Sequence, residues 1–268
     1  MLLLALAAQA DDVHRVSDRE GFINALGSNR TIVVEEGAKI LLCAEDEYPE
    51  WDPGPYASWE SNFDGSSLVI RDVENLVITG EGYRESSLVV EPRYVFVLDL
   101  QNCRGVSIEN LNLGHTTGGY CDSGVLGIHH CRDISVTGSF LYGCGTEGIT
   151  MGNSSNVVIS GTDIAQCTYG IMTCRGSREI LFQNCLFRDN REYYGVELMG
   201  CSGVEFTGCI FRNCFCDFTR GFISSDSPGE IRVEECFFQH IVCPELFAGE
   251  GFVLQGNTFF HVEELNGM

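Results

Sequence analysis

The stretch CGTEGITMGNSSNVVISGTDIAQCTYGIMTC, residues 144–174, contains one phrase twice. Cys144 is followed by Gly148-Ile149, and about 23 residues later Cys167 is followed by Gly170-Ile171. Each phrase comes after a strand-like run that ends in a small turn residue. A recurring phrase of this length indicates a repeat architecture, in which equivalent residues of successive units lie beside one another.

The repeat extends over most of the chain. Each unit has one apolar anchor residue, and successive anchors are 21 to 30 residues apart: Ile78, Ile108, Val136, Ile159, Phe182, Phe206, Val233 and Leu254. Apolar residues alternate with polar ones around each anchor, and neither a helical stripe nor the asparagine-bearing phrase of leucine-rich repeats is present. The pattern predicts an all-β fold, a right-handed parallel β-helix of about eight coils, since parallel crossovers are almost always right-handed.

Further residues keep a constant distance from the anchor. Five places after it come large apolar residues: Leu113, Leu141, Ile164, Phe187, Phe211, Phe238 and Phe259. Small residues occur three places after it, eight after it or five before it: Ser139, Thr162, Cys185, Cys209 and Cys236; Cys144, Cys167 and Cys214; and Cys103, Cys131 and Cys201. Because neighbouring coils stack about 4.8 Å apart, we expect the large residues to fill the bore and the small ones to fill the corners.

The 14 cysteines are interpreted as corner residues. Free cysteine packs as a small hydrophobe, and stacked parallel side chains are poorly aimed for disulfides, so we expect mostly free, buried thiols. No metal site is predicted, because there is no CxxC pair and the two thiols of "CFC" at 214–216 are expected to point to opposite faces.

The net charge of −22 restricts the partners. Lys39 is the only lysine, so the chain lacks the basic footprint that nucleic acid requires. A polyanionic glycan would be repelled unless a local arginine patch or a cation offsets the field, whereas neutral sugars, cations or basic surfaces fit better. No run after the first residues approaches the ~18 apolar residues of a membrane span.

The two ends differ from the repeat. Residues 1–10, "MLLLALAAQA", resemble the remnant of a signal peptide with cleavage near Asp11, which predicts a secreted, periplasmic or cell-surface protein, although a disordered apolar tail is the alternative. Residues 11–268 are expected to form one β-helix domain, with a capping helix at about 17–27 and coils at about 67–262. The helix starts with a capping box, Ser17 to Glu20, and ends at Gly27. At the C-terminal edge either a minimal cap, missing sequence or another chain covers the last coil, so an oligomer can form there.

Between about 43 and 66 we expect an irregular acidic and aromatic loop. Trp51 and Trp59, the only tryptophans, lie there among tyrosines and carboxylates. This composition suits sugar stacking or cation binding; the alternative is a loop that packs both tryptophans onto the outside of the coil. No cofactor is predicted, but calcium could bind this loop.

"TIVVEEG" at 31–37 and "SLVIRDVENLVITGEG" at 67–82 resemble the start of bacterial exported right-handed parallel β-helix repeat proteins of the pectin-lyase-like superfamily. "GHTTGGYCDSGVL" followed by "LYGCGTEGI" is similar to phrases of uncharacterised members of that group. The resemblance covers roughly residues 17–262 and implies the fold. It implies no single activity, since this fold carries lyases, hydrolases, epimerases and non-enzymatic fibres or adhesins.

The better-known enzyme motifs of the superfamily are absent. The Asn-Thr-Asp, Asp-Asp, Gly-His-Gly and Arg-Ile-Lys phrases of polygalacturonase-like hydrolases do not occur, and threonine follows Gly114-His115. Lys39, far from the middle of the repeat, cannot supply the base of lyases that use a Lys/Arg pair, and the Asp-Pro-His of alginate epimerases is missing. If the chain is an enzyme, it is a polysaccharide hydrolase or lyase with a different constellation.

A candidate site follows from turn length. Short turns after the eighth place, between longer ones, predict a shallow trough across stacked coils. Its predicted catalytic residues are Glu147, Glu192, Asp122 and His115, and its predicted ligand-binding residues are Tyr120, Tyr169, Tyr193, Tyr194, Asp217 and Arg220. Glu147 and Glu192 are expected roughly 9–10 Å apart at their backbones, a spacing that suits an inverting glycosidase with a water between the carboxylates. The alternatives are a solvated acidic face and, for His115, a hydrogen bond that orders a loop.

Two functions remain open at this stage. The first is an exported β-helix that binds or acts on a polysaccharide in the trough, because tyrosine faces stack on sugar rings and carboxylates accept hydroxyl protons. The second is a non-catalytic surface, adhesion or structural scaffold, in which the repeat supplies stability and the acidity supplies solubility. Turnover of a polysaccharide would distinguish them.

Overall fold

The repeating phrases fold into a parallel coil. The computed structural model describes residues 12–116, 123–143, 147–217, 220–227 and 229–265, with the backbone alone of Glu192. Within these residues the chain forms one helix, α1 Arg19–Ala25, and strands that lie in three sheets.

The strands have the following bounds. The first five are β1 Asp12–Val16, β2 Arg30–Val34, β3 Lys39–Cys43, β4 Ala57–Ser61 and β5 Ser66–Arg71. The next twelve are β6 Glu74–Gly80, β7 Ser86–Val90, β8 Leu98–Gln101, β9 Arg104–Glu109, β10 Leu111–His115, β11 Gly124–His129, β12 Arg132–Thr137, β13 Phe140–Tyr142, β14 Glu147–Gly152, β15 Ser155–Ser160, β16 Asp163–Ala165 and β17 Gly170–Arg175. The last twelve are β18 Arg178–Gln183, β19 Leu186–Arg188, β20 Arg191–Glu192, β21 Tyr194–Met199, β22 Ser202–Thr207, β23 Ile210–Cys216, β24 Ile223–Ser225, β25 Ile231–Glu234, β26 Phe237–Cys243, β27 Phe247–Gly249, β28 Phe252–Gln255 and β29 Thr258–Glu264.

Every regular coil contributes one strand to each sheet. Sheet A has the order β1-β2-β6-β9-β12-β15-β18-β22-β25-β28. Sheet B has the order β3-β7-β10-β13-β16-β19-β23-β26-β29, with β20 beside β23, and sheet C has the order β4-β5-β8-β11-β14-β17-β21-β24-β27. All pairs are parallel except β4 with β5. The predicted parallel β-helix is confirmed.

The register of sheet A is the one that the anchors predict. The eight anchor residues, Ile78 to Leu254, are paired in succession along the sheet, and they delimit seven complete turns. The residues five places later pair in the same way along sheet B, from Leu113 to Phe259. A slip of one residue would turn these side chains outward, so bore packing fixes the register.

The bore is filled by stacked rings. Phe187 and Phe211 have centroids 4.6 Å apart and planes within 7°, and Phe211 and Phe238 have centroids 4.8 Å apart and planes within 6°. These centroid separations equal the spacing of neighbouring strands, because each coil places the same side chain in the same rotamer above the last. All three rings are at most 1% exposed.

The corner residues make hydrogen bonds as well as packing contacts. At the corner between sheets C and A, the Cys131 Sγ donates to the Leu100 carbonyl at 3.3 Å and accepts the Cys103 N–H at 3.4 Å. One coil later, the Ser154 Oγ donates to the Ile128 carbonyl at 3.1 Å and accepts the Cys131 N–H at 3.0 Å. The corner therefore requires a small side chain that both donates and accepts, which cysteine and serine share. The cysteines among the described residues are free and buried.

The expectation for "CFC" at 214–216 is wrong. Residues two apart on a strand share a face, so Cys214 and Cys216 both point inward, at 2% and 0% exposure, whereas Phe215 points outward.

The N-terminal helix covers the first coil but starts one residue later than the capping box predicts. Asp18, and not Ser17, is the N-cap, with its carboxylate accepting the Gly21 N–H at 2.8 Å. Phe22 and Ile23 are buried in the core below. The helix therefore shields core residues at this end.

The segment predicted as an irregular loop contains one regular element. Strand β4 pairs antiparallel with β5, with Trp59 opposite Leu68. The Trp59 ring packs against the core, and Trp51 meets it edge-on with centroids 5.4 Å apart while remaining 44% exposed. The alternative in which the tryptophans pack onto the outside of the coil therefore holds for Trp59, whereas Trp51 is half exposed to solvent.

The C-terminal edge is open. Leu254 and Phe259 end the anchor column and the bore column, and they are 48% and 49% exposed because no described strand stacks on β28 or β29. An oligomer through this edge stays a prediction.

Candidate functional site

The outer face of sheet C carries two of the predicted trough residues, Glu147 and Tyr194, together with polar residues that sequence reasoning did not single out. Strands alternate inward and outward residues, so Thr150, Thr173 and Glu197 form one outward column on β14, β17 and β21. The same column continues to Gly127 and Asp99 on the two preceding coils. Glu147, at the start of β14, lies beside this column.

The centre of the face is a carboxylate that collects hydroxyl groups from three coils. The Glu147 carboxylate accepts the Thr150 hydroxyl at 2.9 Å, the Thr173 hydroxyl of the next coil at 2.9 Å, and the Tyr194 hydroxyl from two coils away. We call Glu147, Thr150, Thr173, Tyr194 and Glu197 the Glu147 cluster.

Tyr194 reaches Glu147 because the intervening residue is glycine. Glu147 is in register with Gly170, which is in register with Tyr194. A Cβ atom on Gly170 would overlap the Tyr194 ring. The glycine therefore leaves the space in which the ring crosses one coil.

This register corrects the expected pairing of Glu147 with Glu192. The residue two coils from Glu147 in register is Tyr194, and Glu192 belongs instead to β20, which pairs with the Phe215–Cys216 end of β23 in sheet B. The turn of this coil holds an extra short strand, which moves Glu192 out of the sheet C register. The side chain of Glu192 lies outside the described residues, so an inverting pair with Glu147 stays a prediction.

Glu197 is electrostatically distinct from a surface carboxyl. Burial, and then repulsion from the Glu147 carboxylate, raises the pKa of Glu197, while Arg175 opposes this rise. Burial and the Glu147 charge also raise the pKa of the Tyr194 phenol, so the phenol stays protonated and donates. The cluster thus places a carboxyl that holds its proton more strongly beside one that receives three hydroxyl donors, an arrangement that separates acid and base roles.

Two further tyrosines of the predicted trough adjoin the cluster. Tyr169 meets Tyr193 with centroids 4.7 Å apart and meets Tyr194 edge-on at 5.3 Å. All three are partly exposed. The structure therefore brings together Glu147, Tyr169, Tyr193 and Tyr194, whereas the trough itself stays a prediction.

Sequence reasoning missed Asp99 and His129. Asp99 is 4% exposed, its Oδ2 accepts the Gln101 amide at 2.9 Å, and its Oδ1, which has no hydrogen-bond partner, lies 3.7 Å from the His129 Nε2. Burial raises the pKa of Asp99, whereas the Gln101 hydrogen bond and the His129 charge oppose the rise. Gly127 lies between Asp99 and Thr150, and a Cβ there would overlap the Asp99 carboxylate. The two polar groups therefore share one continuous face.

A signal in the sequence could have identified this column. Asp99, Gly127, Thr150, Thr173 and Glu197 each stand nine places before an anchor. A constant offset in a solenoid places residues on one face, as the anchors do. The interpretation missed it because it followed turn lengths rather than outward strand positions.

His115, which was predicted as a catalytic residue, is a buried residue of sheet B. It ends β10 in sheet B, is 3% exposed, and lies with its Nε2 2.9 Å from the Val95 carbonyl oxygen. Burial lowers the pKa of the imidazole, so it is neutral and donates from Nε2. These surroundings match the alternative role, a hydrogen bond that orders the chain.

The other predicted residues divide into two groups. Asp217 and Arg220 are exposed. Tyr120 and Asp122 lie outside the described residues, as does Cys144.

The acidic loop uses several of its carboxylates internally. Glu47 accepts both the Arg19 guanidinium at 2.7 Å and the Ala44 N–H at 2.9 Å, and Asp64 accepts the Tyr94 N–H at 3.0 Å. Across the part of the chain that the structure describes, no three His, Cys, Asp or Glu residues converge as a metal-binding group. Calcium binding to this loop stays a prediction, which melting temperatures with calcium and with a chelator would test.

Taken together, three sheets of largely parallel strands around a bore define a β-helix protein. A family model described as "Right handed beta helix region" matches residues 97–238, and the chain belongs to this family. A search of curated proteins found no match.

Two solved structures share the fold. An alginate lyase from Paenibacillus sp. str. FPU-7 is 11% identical, with a TM-score of 0.55 over 95% of this chain and 100% of that chain. A thermostable pectate lyase, PL 47, is 10% identical, with a TM-score of 0.54 over 92% of this chain and 79% of that chain. At these identities the likeness establishes the fold alone.

None of the described helices is long and apolar enough to cross a membrane. Export with cleavage near Asp11 stays a prediction, because residues 1–11 lie outside the described part of the chain.

Proposed function

We propose that this β-helix binds a polysaccharide along the outer face of sheet C and acts on it at the Glu147 cluster. The observation that carries the proposal is the convergence of hydroxyl groups from three coils on Glu147, next to the protonation-prone Glu197. A solvated surface carboxylate does not need hydroxyl donors from three coils. A carboxylate that such donors hold in a fixed position is suited to position a ligand or to transfer a proton.

The roles follow from the surroundings of each group. Glu197 is the proton donor, because its raised pKa favours the protonated form more than in a surface carboxyl. Glu147 is the acceptor, with three hydroxyl donors that stabilise its negative charge. Tyr169 and Tyr193, partly exposed at the edge of the cluster, offer ring faces for sugar stacking.

The charge of the outer face of sheet C indicates which class of saccharide it would bind. Asp99, Glu147 and Glu197 share it with Arg175 and His129, on a chain with a net charge of −22. A neutral or amine-bearing saccharide avoids the repulsion that a uronate would meet there without a bridging cation. The proposed substrate class is therefore a neutral or amino polysaccharide.

The test is a glycan screen with matched variants. Neutral, amino and uronic polysaccharides would be assayed for binding, for new reducing ends and for unsaturated products. Glu147→Gln and Glu197→Gln keep the side-chain shape and are expected to weaken binding roughly tenfold or more, about 1.4 kcal/mol, and to abolish turnover. Glu109→Gln and Glu205→Gln on the outer face of sheet A are the controls, with no expected change.

The outcomes separate the two functions that the sequence left open. Binding lost in both cluster variants and retained in both controls supports the proposed face. Wild-type binding without any product, sensitive to the same variants, would leave a non-catalytic adhesion or scaffold module that uses this face. Equal binding by wild type and Glu147→Gln would overturn the proposed location.

A further inference from the structure

Two histidines lie side by side at the C-terminal end of sheet B. His240 on β26 and His261 on β29 stand opposite each other, since the flanking pairs Gln239–Phe260 and Ile241–Val262 are in register. Their ring centroids are 5.2 Å apart and their planes lie within 18°. Both backbones are left-handed, with φ of 52°, so both side chains leave the coil in the same direction.

The pair ends a column of left-handed residues. In preceding coils the column holds Asp189 and Asn213, where the Asn213 amide donates to the Asp189 carboxylate at 3.2 Å. In the last two coils, His240 and His261 occupy this column in place of the hydrogen-bonded Asp189 and Asn213. Both are exposed, and within the described residues neither makes a hydrogen bond or an ion pair.

A shallow cavity of about 330 Å³ adjoins the two rings. It is lined by His240, Val242, His261, Val262 and Glu263. The cavity therefore offers two imidazoles and one carboxylate around a solvent-accessible space. Imidazole is the commonest protein ligand of zinc, copper and nickel, and carboxylate oxygen also binds zinc.

We propose that His240 and His261 together bind one divalent transition-metal ion, such as Zn²⁺, Ni²⁺ or Cu²⁺. Two nitrogens on one tetrahedral zinc lie roughly 3.4 Å apart, given Zn–N distances of about 2.0–2.1 Å. Rotation of the two rings about their broad terminal torsions brings their nitrogens together from a centroid separation of 5.2 Å. Water completes the coordination.

Binding would clamp the last strand of sheet B. His261 belongs to β29, which carries the half-exposed Phe259, and His240 belongs to β26 beneath it. A metal that joins the two imidazoles holds β29 onto β26 and so shields the open end of the bore. Because the ion binds the folded coil and not separated strands, it raises the melting temperature.

The test uses metal-free protein, prepared with a chelator, and titrates ZnCl₂, NiCl₂ and CuCl₂ by calorimetry. We expect one ion per chain, a rise in melting temperature, and no response to MgCl₂. The variants are His240→Asn and His261→Asn, since asparagine adopts the left-handed conformation and occupies the same column at Asn213. Each is expected to weaken binding about tenfold or more and to remove the thermal shift.

His130→Asn is the matched control. His130 is exposed and left-handed, with φ of 55°, but the described residues place no second histidine ring against it. Copper paramagnetic resonance supplies a readout independent of stability: wild type should show coupling to two imidazole nitrogens, and His261→Asn to one fewer. Failure of all three metals to bind, or unchanged binding in the double variant His240→Asn/His261→Asn, would overturn the proposal.

Discussion

The outer faces of sheets A and C arise from the same alternation of residues, yet they hold their carboxylates differently. On sheet A, Glu109 and Glu205 take local bonds: Ser107 donates to Glu109 at 2.9 Å, and Thr207 donates to Glu205 at 2.8 Å, in each case two residues along one strand. On sheet C, Glu147 takes hydroxyl bonds from its own coil, the next coil and the one after that. The bonds to Glu109 and Glu205 therefore form within one strand, whereas the bonds to Glu147 depend on the stacking of coils.

The largest effect on stability is expected where the stacking of coils on sheet C leaves no room for a larger side chain. Gly170→Ala would place a methyl group in the space that the Tyr194 ring occupies. We expect the free energy of unfolding to fall by about 2–3 kcal/mol, because the ring or the backbone must move. Urea unfolding measures the loss. In the control Gly152→Ala, the new Cβ would lie 3.2 Å from the end of the His129 side chain, and the loss should be much smaller. Equal losses in the two variants would show that the contact between Gly170 and the Tyr194 ring has no particular effect on stability.

A second, smaller difference in the free energy of unfolding is expected between removal of a carboxylate from sheet C and removal of one from sheet A. Glu147→Ala leaves Thr150, Thr173 and Tyr194 without their common acceptor, which should lower the free energy of unfolding by about 1–2 kcal/mol. Glu109→Ala on sheet A removes one local bond and should change it by less than about 0.5 kcal/mol. Paired urea titrations give both values. Similar costs on the two sheets would remove the distinction between local and cross-coil support.

The pH dependence of Asp99 sharpens the comparison further. Burial raises the pKa of Asp99 in the folded protein above its ordinary value of 3.8, so ionisation destabilises the fold. This penalty is fully present above the folded pKa and disappears as the pH falls below 3.8. Asp99→Asn should therefore stabilise the protein near neutral pH, by about 0.5–1 kcal/mol, and lose that advantage in acid.

The measurement is chemical unfolding of Asp99→Asn and wild type between pH 3 and 8. Glu205→Gln on the outer face of sheet A is the control for the loss of a carboxylate that is less buried than Asp99. An advantage of Asp99→Asn that grew toward acid would mean that the carboxylate is stabilised and not penalised by its surroundings.

The sequence was sufficient for the fold because the bore imposes one register on every coil. Phe187, Phe211 and Phe238 repeat at a constant offset from their anchors, and a column of rings follows from that offset alone. Local features were harder to predict. Asp18, and not Ser17, is the N-cap. The two residues are adjacent and both types of side chain can cap a helix, so the sequence does not show at which of them the helix starts.

The candidate site was predicted in part, for a related reason. Glu147, Tyr169, Tyr193 and Tyr194 were placed together because they follow the same turn in successive coils. Glu192 lies outside the sheet C register because the extra strand β20 is part of that turn, and turn lengths do not reveal which residues pair. The raised pKa of Glu197 depends on burial and on the approach of Glu147, which only three-dimensional packing supplies.

The smallest effect is expected for the conservative change of cysteine to serine at the corner that joins sheet C to sheet A. Cys131 donates to the Leu100 carbonyl and accepts the Cys103 N–H, and Ser154 makes equivalent bonds one coil later. Cys131→Ser should therefore change the free energy of unfolding by less than about 0.5 kcal/mol. Cys131→Ala, in contrast, leaves the Cys103 N–H without its acceptor and should cost about 1–3 kcal/mol. If alanine were as stable as serine in urea unfolding, the corner would need only a small volume, and hydrogen bonding would not explain why cysteine and serine exchange there.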